Sequence, residues 1–115
     1  MLIGCPREVK NNEFRVGLTP ESVHELVSHG HEVWIERGAG AGIGASDEAY
    51  RAAGGVVKDK AEDIFAHCEM IVKVKEPQPG ERAMLREGQV LYTYLHLAPD
   101  PEQTADLVKS GVTAI

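Results

Sequence analysis

Four polar side chains of this sequence follow apolar runs that have the length and composition of buried strands. Arg15 lies in a polar loop after the first run, Lys75 follows the fourth, and Tyr94 and His96 end the fifth. An arginine guanidinium can hold a carboxylate through two parallel hydrogen bonds, and a lysine ammonium can donate to a carbonyl oxygen. A histidine ring titrates near neutrality and can transfer a proton. Together these residue types predict a site for a small anionic substrate.

The four residues can meet only if the strands before them lie side by side, since ligands of open α/β sheets bind at the carboxyl ends of the strands. A cationic pocket would stand out here, because 12 Lys and Arg against 18 Asp and Glu give a formal net charge of −6. In the alternative interpretation, Arg15 and Lys75 are solvated surface charges and His96 is a loop histidine with satisfied hydrogen bonds. On spacing alone, this alternative is the stronger one.

The elements that would position these residues alternate between short apolar runs and helical patterns. Such alternation predicts right-handed βαβ units. The expected fold class is α/β: a Rossmann-like, open and mostly parallel sheet with helices on both faces. Strands are predicted at residues 2–3, 33–35, 56–57, 70–74, 90–95 and 112–115.

Capping residues predict where the helices begin. Thr19 and Ser46 precede helical patterns as N-caps, and Asp59 has capping-box spacing to Glu62. Asp100, Pro101 and Gln103 begin the last helix. A weak helix is expected over residues 81–86, and the last helix is expected to turn residues 107 and 108 inward.

A glycine-rich loop over residues 38–44 follows the second strand, and Gly40, Gly42 and Ala45 satisfy the pattern G-x-G-x-x-A. That pattern can hold a dinucleotide pyrophosphate at a helix N-terminus. Glu36 and Asp47, however, place negative charge beside the loop, and the following helix is short. A turn-forming loop is therefore the favoured interpretation.

Composition excludes several classes of protein. With 43% hydrophobic and 26% charged residues, the chain has the composition of a globular domain. Its acidity argues against nucleic-acid binding, and no apolar run approaches the ~18 residues of a membrane span. Cys5 and Cys68 make no disulfide framework, which favours the cytoplasm, and the pair His29 and His31 lacks the further ligands of a metal site.

At several motifs the sequence resembles the alanine dehydrogenase and pyridine nucleotide transhydrogenase family, and the resemblance covers essentially the whole chain. The Lys-Glu-Pro and Tyr-Leu-His-Leu-Ala segments resemble the alanine dehydrogenases of that family more than the transhydrogenases. The segments that carry the resemblance are residues 4–8 (Gly-Cys-Pro-Arg-Glu), 12–16 (Asn-Glu-Phe-Arg-Val), 19–20 (Thr-Pro), 38–40 (Gly-Ala-Gly), 73–77 (Lys-Val-Lys-Glu-Pro) and 94–98 (Tyr-Leu-His-Leu-Ala).

The resemblance implies a specific chemistry. Alanine dehydrogenases oxidise L-alanine to pyruvate and ammonia with NAD, a step of amino-acid catabolism. Arg15, Lys75 and Tyr94 would bind the substrate, with Lys75 also acting in catalysis, and His96 would be the acid/base. The family also implies a homo-oligomer, a hexamer, in the cytoplasm.

The resemblance further implies that residues 1–115 form the N-terminal substrate domain of a longer polypeptide, with the NAD-binding Rossmann domain absent from this chain. The apolar ending at residues 112–115 supports the same expectation. The isolated chain should then be inactive. Two alternatives remain: the matching part of a transhydrogenase alpha subunit, and a carboxylate-binding module without catalysis.

Overall fold

A computed structural model describes residues 1–115, and in it six strands form one sheet in which every neighbouring pair is parallel. The spatial order is β3-β2-β1-β4-β5-β6, so the chain crosses over once, between β3 and β4. The predicted α/β class is confirmed. The strands are β1 (Leu2–Cys5), β2 (Glu32–Glu36), β3 (Val56–Lys58), β4 (Met70–Val72), β5 (Val90–Tyr92) and β6 (Thr113–Ala114).

One helix lies in each connection between consecutive strands, as parallel pairing requires. A single 3₁₀ turn over Ala41–Ile43 adds to the second connection. None of the helices has both the length and the apolar character that crossing a membrane would need. The helices are α1 (Pro20–Ser28), α2 (Asp47–Ala52), α3 (Ala61–His67), α4 (Pro79–Arg82) and α5 (Pro101–Ser110).

The apolar core consists of two clusters, one on each face of the sheet. Successive side chains of a strand point to opposite faces, and in β2 the side chains of Val33 and Ile35 join one cluster while Trp34 packs on the other. Tyr50 of α2 belongs to the first cluster and Phe65 of α3 to the second. Helices therefore cover both faces, as predicted.

The N-caps predicted at Thr19 and Ser46 and the helix start predicted at Asp100 are confirmed, whereas the capping box predicted at Asp59 is wrong. The side chains of Thr19, Ser46 and Asp100 each accept a hydrogen bond from the backbone N–H three residues later. Helix α3 begins one residue later than expected, with Lys60 at the N-cap and no side-chain bond there. Asp59 instead pairs with Arg37 at 2.8 Å, because β2 and β3 bring the two residues together.

Other boundaries also differ from the predictions. Strands β4 and β5 end at Val72 and Tyr92, earlier than expected, and α4 begins two residues before the predicted segment 81–86 and overlaps it only at residues 81 and 82. Val108 was expected to face inward but is 79% exposed. Gln103 takes the inward position with Leu107, since residues four apart share a helix face, and its amide donates to the Leu95 carbonyl at 2.8 Å.

Candidate functional site

An open cleft of about 440 Å³ lies at the carboxyl ends of β1 and β4 and is lined by both Arg15 and Lys75. Arg15 enters it from the loop after β1, and Lys75 enters from the segment that follows β4. The rest of the lining comes from the loop before Arg15, including Asn12 and Phe14. The sheet order thus brings together two of the residues that were selected from the sequence.

Arg15 is held by Glu13 through both ends of its carboxylate. Arg15 Nε donates to Oε2 at 3.0 Å, Nη2 donates to Oε1 at 2.8 Å, and the Arg15 backbone N–H also donates to Oε2 at 2.8 Å. These bonds lower the pKa of Glu13 to about 2. Arg15 Nη1 makes no hydrogen bond within the chain and remains able to bind a second carboxylate.

Lys75 combines a fixed main chain with a free ammonium group. Its backbone N–H donates to Glu8 Oε1 at 3.0 Å, and its carbonyl accepts a hydrogen bond from Thr93 Oγ1 at 3.0 Å. The side-chain ammonium forms no ion pair within the chain. Its charge nevertheless contributes to the low pKa of Glu13, so the two groups lie within electrostatic range of each other.

Tyr94 and His96 lie at the same edge of the sheet, because β5 is the neighbour of β4. The Tyr94 backbone N–H donates to the Val74 carbonyl at 3.3 Å, and its side chain is 76% exposed. Glu13 chiefly, and Tyr94 to a smaller degree, raise the pKa of Arg15. Neither Tyr94 nor His96 lines the 440 Å³ cleft, so the chain alone does not bring all four residues around one cavity.

His96 has an unusual backbone conformation. Its φ of 56° lies in the left-handed region, which side chains other than glycine rarely adopt. His96 is exposed, and it lies within electrostatic range of Glu76, whose carboxylate pairs with Lys10. Burial opposes ionisation of Glu76, yet its pKa lies below the ordinary value because Lys10 donates a hydrogen bond and His96 adds a smaller attraction. Strained residues of this kind cluster at functional sites.

A buried charge cluster behind the cleft was missed from the sequence. Lys73 Nζ lies 3.0 Å from Glu8 Oε1 and 3.2 Å from Glu81 Oε2, and all three side chains are at most 6% exposed. Burial raises the pKa of Glu81. One signal was available: Lys73 directly continues the apolar run of β4, and a lysine in a buried strand must find a carboxylate.

The glycine-rich loop has a structural role beside Arg15. A Cβ on Gly42 would lie 2.1 Å from the Phe14 carbonyl oxygen, so the loop packs on the main chain next to Arg15. Within the pattern itself, the backbone N–H groups of Ile43, Gly44 and Ala45 donate to carbonyls of the same loop. The Gly38 backbone N–H donates to Asp47 Oδ1 at 2.9 Å. This geometry favours the turn interpretation. No three His, Cys, Asp or Glu side chains converge as metal ligands.

Comparison with known proteins gives a consistent result. Residues 4–115 match the family model described as "Alanine dehydrogenase/PNT, N-terminal domain". The alanine dehydrogenases of Methanococcus maripaludis and Bacillus subtilis are each 50% identical to the chain over 115 residues, which is 100% of this chain and 31% and 30% of theirs. The chain thus spans less than a third of the curated relatives it matches.

Two solved structures resemble the fold closely. An L-alanine dehydrogenase superposes with a TM-score of 0.97 at 51% identity, over 100% of this chain and 32% of that one. A transhydrogenase from Sinorhizobium meliloti superposes with a TM-score of 0.93 at 31% identity, over 99% of this chain and 34% of that one.

Proposed function

The chain belongs to the family of alanine dehydrogenase and transhydrogenase N-terminal domains, and we propose that it supplies the substrate-binding part of an NAD-dependent L-alanine dehydrogenase. The proposed reaction converts L-alanine, NAD⁺ and water into pyruvate, ammonium, NADH and a proton. The observation that carries the proposal is the single cleft lined by Arg15 and Lys75. A cationic cleft of this size on an acidic protein suits a small carboxylate.

In the proposed complex, the substrate carboxylate binds Arg15 through Nη1 and Lys75 through its ammonium. Both cations reach the cleft from main chain that is itself held: Arg15 by Glu13, and Lys75 by Glu8 and Thr93. Two anchoring points fix the orientation of the substrate Cα, which lowers the entropic part of the barrier. In the ketoacid, the Lys75 ammonium also stabilises charge on the carbonyl oxygen.

His96 is proposed to move the protons of the reaction, and Tyr94 to complete the substrate side. Addition of water to the iminium carbon and departure of ammonia both need proton transfer at neutral pH. His96 and Tyr94 follow the same strand, next to the strand that leads to Lys75. Exposure of both side chains leaves them accessible to a substrate in the cleft region.

NAD is proposed to bind to another part of the polypeptide, outside residues 1–115. The glycine loop of this chain offers few free amides, since the backbone N–H groups of Ile43, Gly44 and Ala45 already donate within the loop. We therefore propose that residues 1–115 are the N-terminal substrate domain and that the chain alone is inactive. We further propose that the whole protein degrades alanine in the cytoplasm as a homo-oligomer, which the family resemblance implies to be a hexamer.

A transhydrogenase subunit is the second candidate, because the Sinorhizobium meliloti transhydrogenase shares the fold. The deciding experiment measures NADH formation by the full-length protein with L-alanine, and its reversal with pyruvate and ammonia. Alanine-dependent turnover supports the dehydrogenase. Hydride exchange between NADPH and an NAD analogue, without alanine turnover, would support the transhydrogenase instead. Pyruvate binding without either activity would support the third alternative, a carboxylate-binding module without catalysis.

A further inference from the structure

The main chain that carries Lys75 is held from the β1 side by a side chain. Pairing between β1 and β4 ends at Gly4 and Ile71, so the residues beyond have no strand partner on that side. Glu8 takes the place of the missing strand. Its Oε2 accepts from the Val74 backbone N–H and its Oε1 from the Lys75 backbone N–H, each at 3.0 Å.

Glu8 is itself fixed by a buried lysine. Lys73 Nζ donates to Glu8 Oε1 at 3.0 Å, and the two side chains are 1% and 2% exposed. The Glu8 carboxylate therefore faces three donors and is almost fully shielded from solvent. Only an ionised carboxylate can accept from all of them, because a protonated or amide group would bring a donor of its own. Hydrogen bonds to an ionised acceptor are also stronger than neutral ones.

Thr93 holds the same segment from the β5 side. Its hydroxyl lies 3.1 Å from the Val74 carbonyl oxygen and 3.0 Å from the Lys75 carbonyl oxygen. The peptide group before Lys75 is thus held by Glu8 at its N–H and by Thr93 at its carbonyl, and Thr93 also holds the carbonyl of the peptide group after Lys75. The Lys75 ammonium, in contrast, is free and lines the cleft.

We propose that Glu8 is a positioning residue for Lys75: its carboxylate, held by Lys73, sets the main chain from which the Lys75 ammonium reaches the substrate. This inference rests on the proposed function, in which Lys75 binds the substrate carboxylate. Glu8 touches no substrate and acts only through Lys75. Without it, the Lys75 ammonium would reach the same region from a mobile segment, and its orientation of the substrate would be lost.

The first test measures hydrogen exchange of the Val74 and Lys75 amides in the full-length protein. Glu8→Gln should accelerate their exchange about 10- to 100-fold, because two hydrogen bonds to a charged acceptor are weakened. The matched control is Glu81→Gln, which removes another buried carboxylate from Lys73 but no bond to these amides. Equal exchange in the two variants overturns the proposal.

The second test is a kinetic double-mutant cycle for alanine oxidation. If Glu8 acts through Lys75, Glu8→Gln should lower kcat/KM strongly in the wild-type background and by less than about twofold in the Lys75→Ala background. Losses that multiply would show that Glu8 only supports the fold, and the positioning role would be wrong. Glu81→Gln should give multiplying losses in the same cycle.

A second substitution of Glu8 keeps the inference testable if Glu8→Gln does not fold. Glu8→Asp keeps a charge near Lys73 but draws the carboxylate back from the Val74 and Lys75 amides by one methylene group. Positioning predicts that Glu8→Asp accelerates exchange of these amides and couples to Lys75→Ala, whereas unchanged exchange with additive losses contradicts it. A wild-type protein without alanine turnover would refute the proposed function, while the exchange measurement would still decide whether Glu8 anchors Lys75.

Discussion

Gly42 packs directly on the main chain of Phe14, so that a methyl group in place of its hydrogen would lie 2.1 Å from the Phe14 carbonyl oxygen. Phe14 is the residue before Arg15, and both residues line the cleft. The glycine loop is therefore a surface on which the loop that carries Arg15 packs. This close approach explains a glycine at that position without any phosphate ligand.

Gly42→Ala should displace the loop that carries Arg15, because the backbone of Phe14 has to move to admit the new methyl group. We expect a raised KM for alanine in the full-length enzyme, measured by steady-state kinetics. Gly80→Ala is the matched control, since a Cβ there would meet no atom within 4 Å. Unchanged KM in Gly42→Ala would mean that the loop does not position Arg15.

Lys75→Ala should impair binding and chemistry together. The lost charge-assisted hydrogen bond corresponds to a fall in kcat/KM of about 10- to 150-fold. Steady-state kinetics with alanine and with pyruvate measure the loss. Lys109→Ala serves as the control because Lys109 is an exposed lysine on α5, away from the cleft. Normal kinetics in Lys75→Ala would remove this residue from the site.

His96→Ala should lower turnover by about 10²- to 10⁴-fold, the usual contribution of a proton-transferring group, with a smaller effect on carboxylate binding. The limb of the kcat/KM profile that reports the histidine should disappear. The measurement is the pH dependence of kcat/KM for the variant and the wild type. A variant with near-normal rates and the same profile would show that His96 is only a loop residue.

The Glu13–Arg15 pair should give the protein an acid-sensitive contribution to stability. The pKa of Glu13 is lowered from 4.5 to about 2 by the bonds from Arg15, so the folded state binds the proton less readily than the unfolded state. This contribution is present above pH 4.5 and lost as the pH falls toward 2. Urea unfolding over this range should show a weaker pH dependence for Glu13→Gln than for the wild type. Glu21→Gln, at an exposed carboxyl without a side-chain hydrogen bond, should retain the wild-type slope.

Tyr50→Phe should destabilise the fold by about 1–3 kcal/mol, the cost of leaving a buried acceptor unpaired. The Tyr50 hydroxyl donates to the Leu18 carbonyl at 2.7 Å and is wholly buried in the first core cluster. The free energy of unfolding in urea measures the effect. Tyr92→Phe, at an exposed position on β5, should change it little. Equal stability of Tyr50→Phe and wild type would contradict the importance of this bond.

Local features of the sequence were sufficient to predict the succession of strands and helices along the chain and the residues at which most helices begin. Thr19, Ser46 and Asp100 cap their helices through an N–H three residues away, so nearest neighbours decide the outcome. The apolar runs located every strand. In the central strands β1 and β4 burial leaves a nearly continuous apolar signal, whereas the edge strands β3 and β6 are more exposed and were recognised from short runs of β-branched residues. The positions of Arg15 and Lys75 at one edge followed from the parallel arrangement.

Features that depend on distant partners were decided only by the tertiary structure. Asp59 does not cap helix α3 because it pairs with Arg37, which β2 and β3 bring close to it. Val108 faces outward because Gln103, whose amide donates to the Leu95 carbonyl, occupies the inward face of α5. Glu8 and Lys73 are 65 residues apart, and no local pattern reports their contact. Capping and apolar burial are local signals that the chain carries in its own order. The pairing of buried charges depends on which strands become neighbours, and the folded sheet alone determines that.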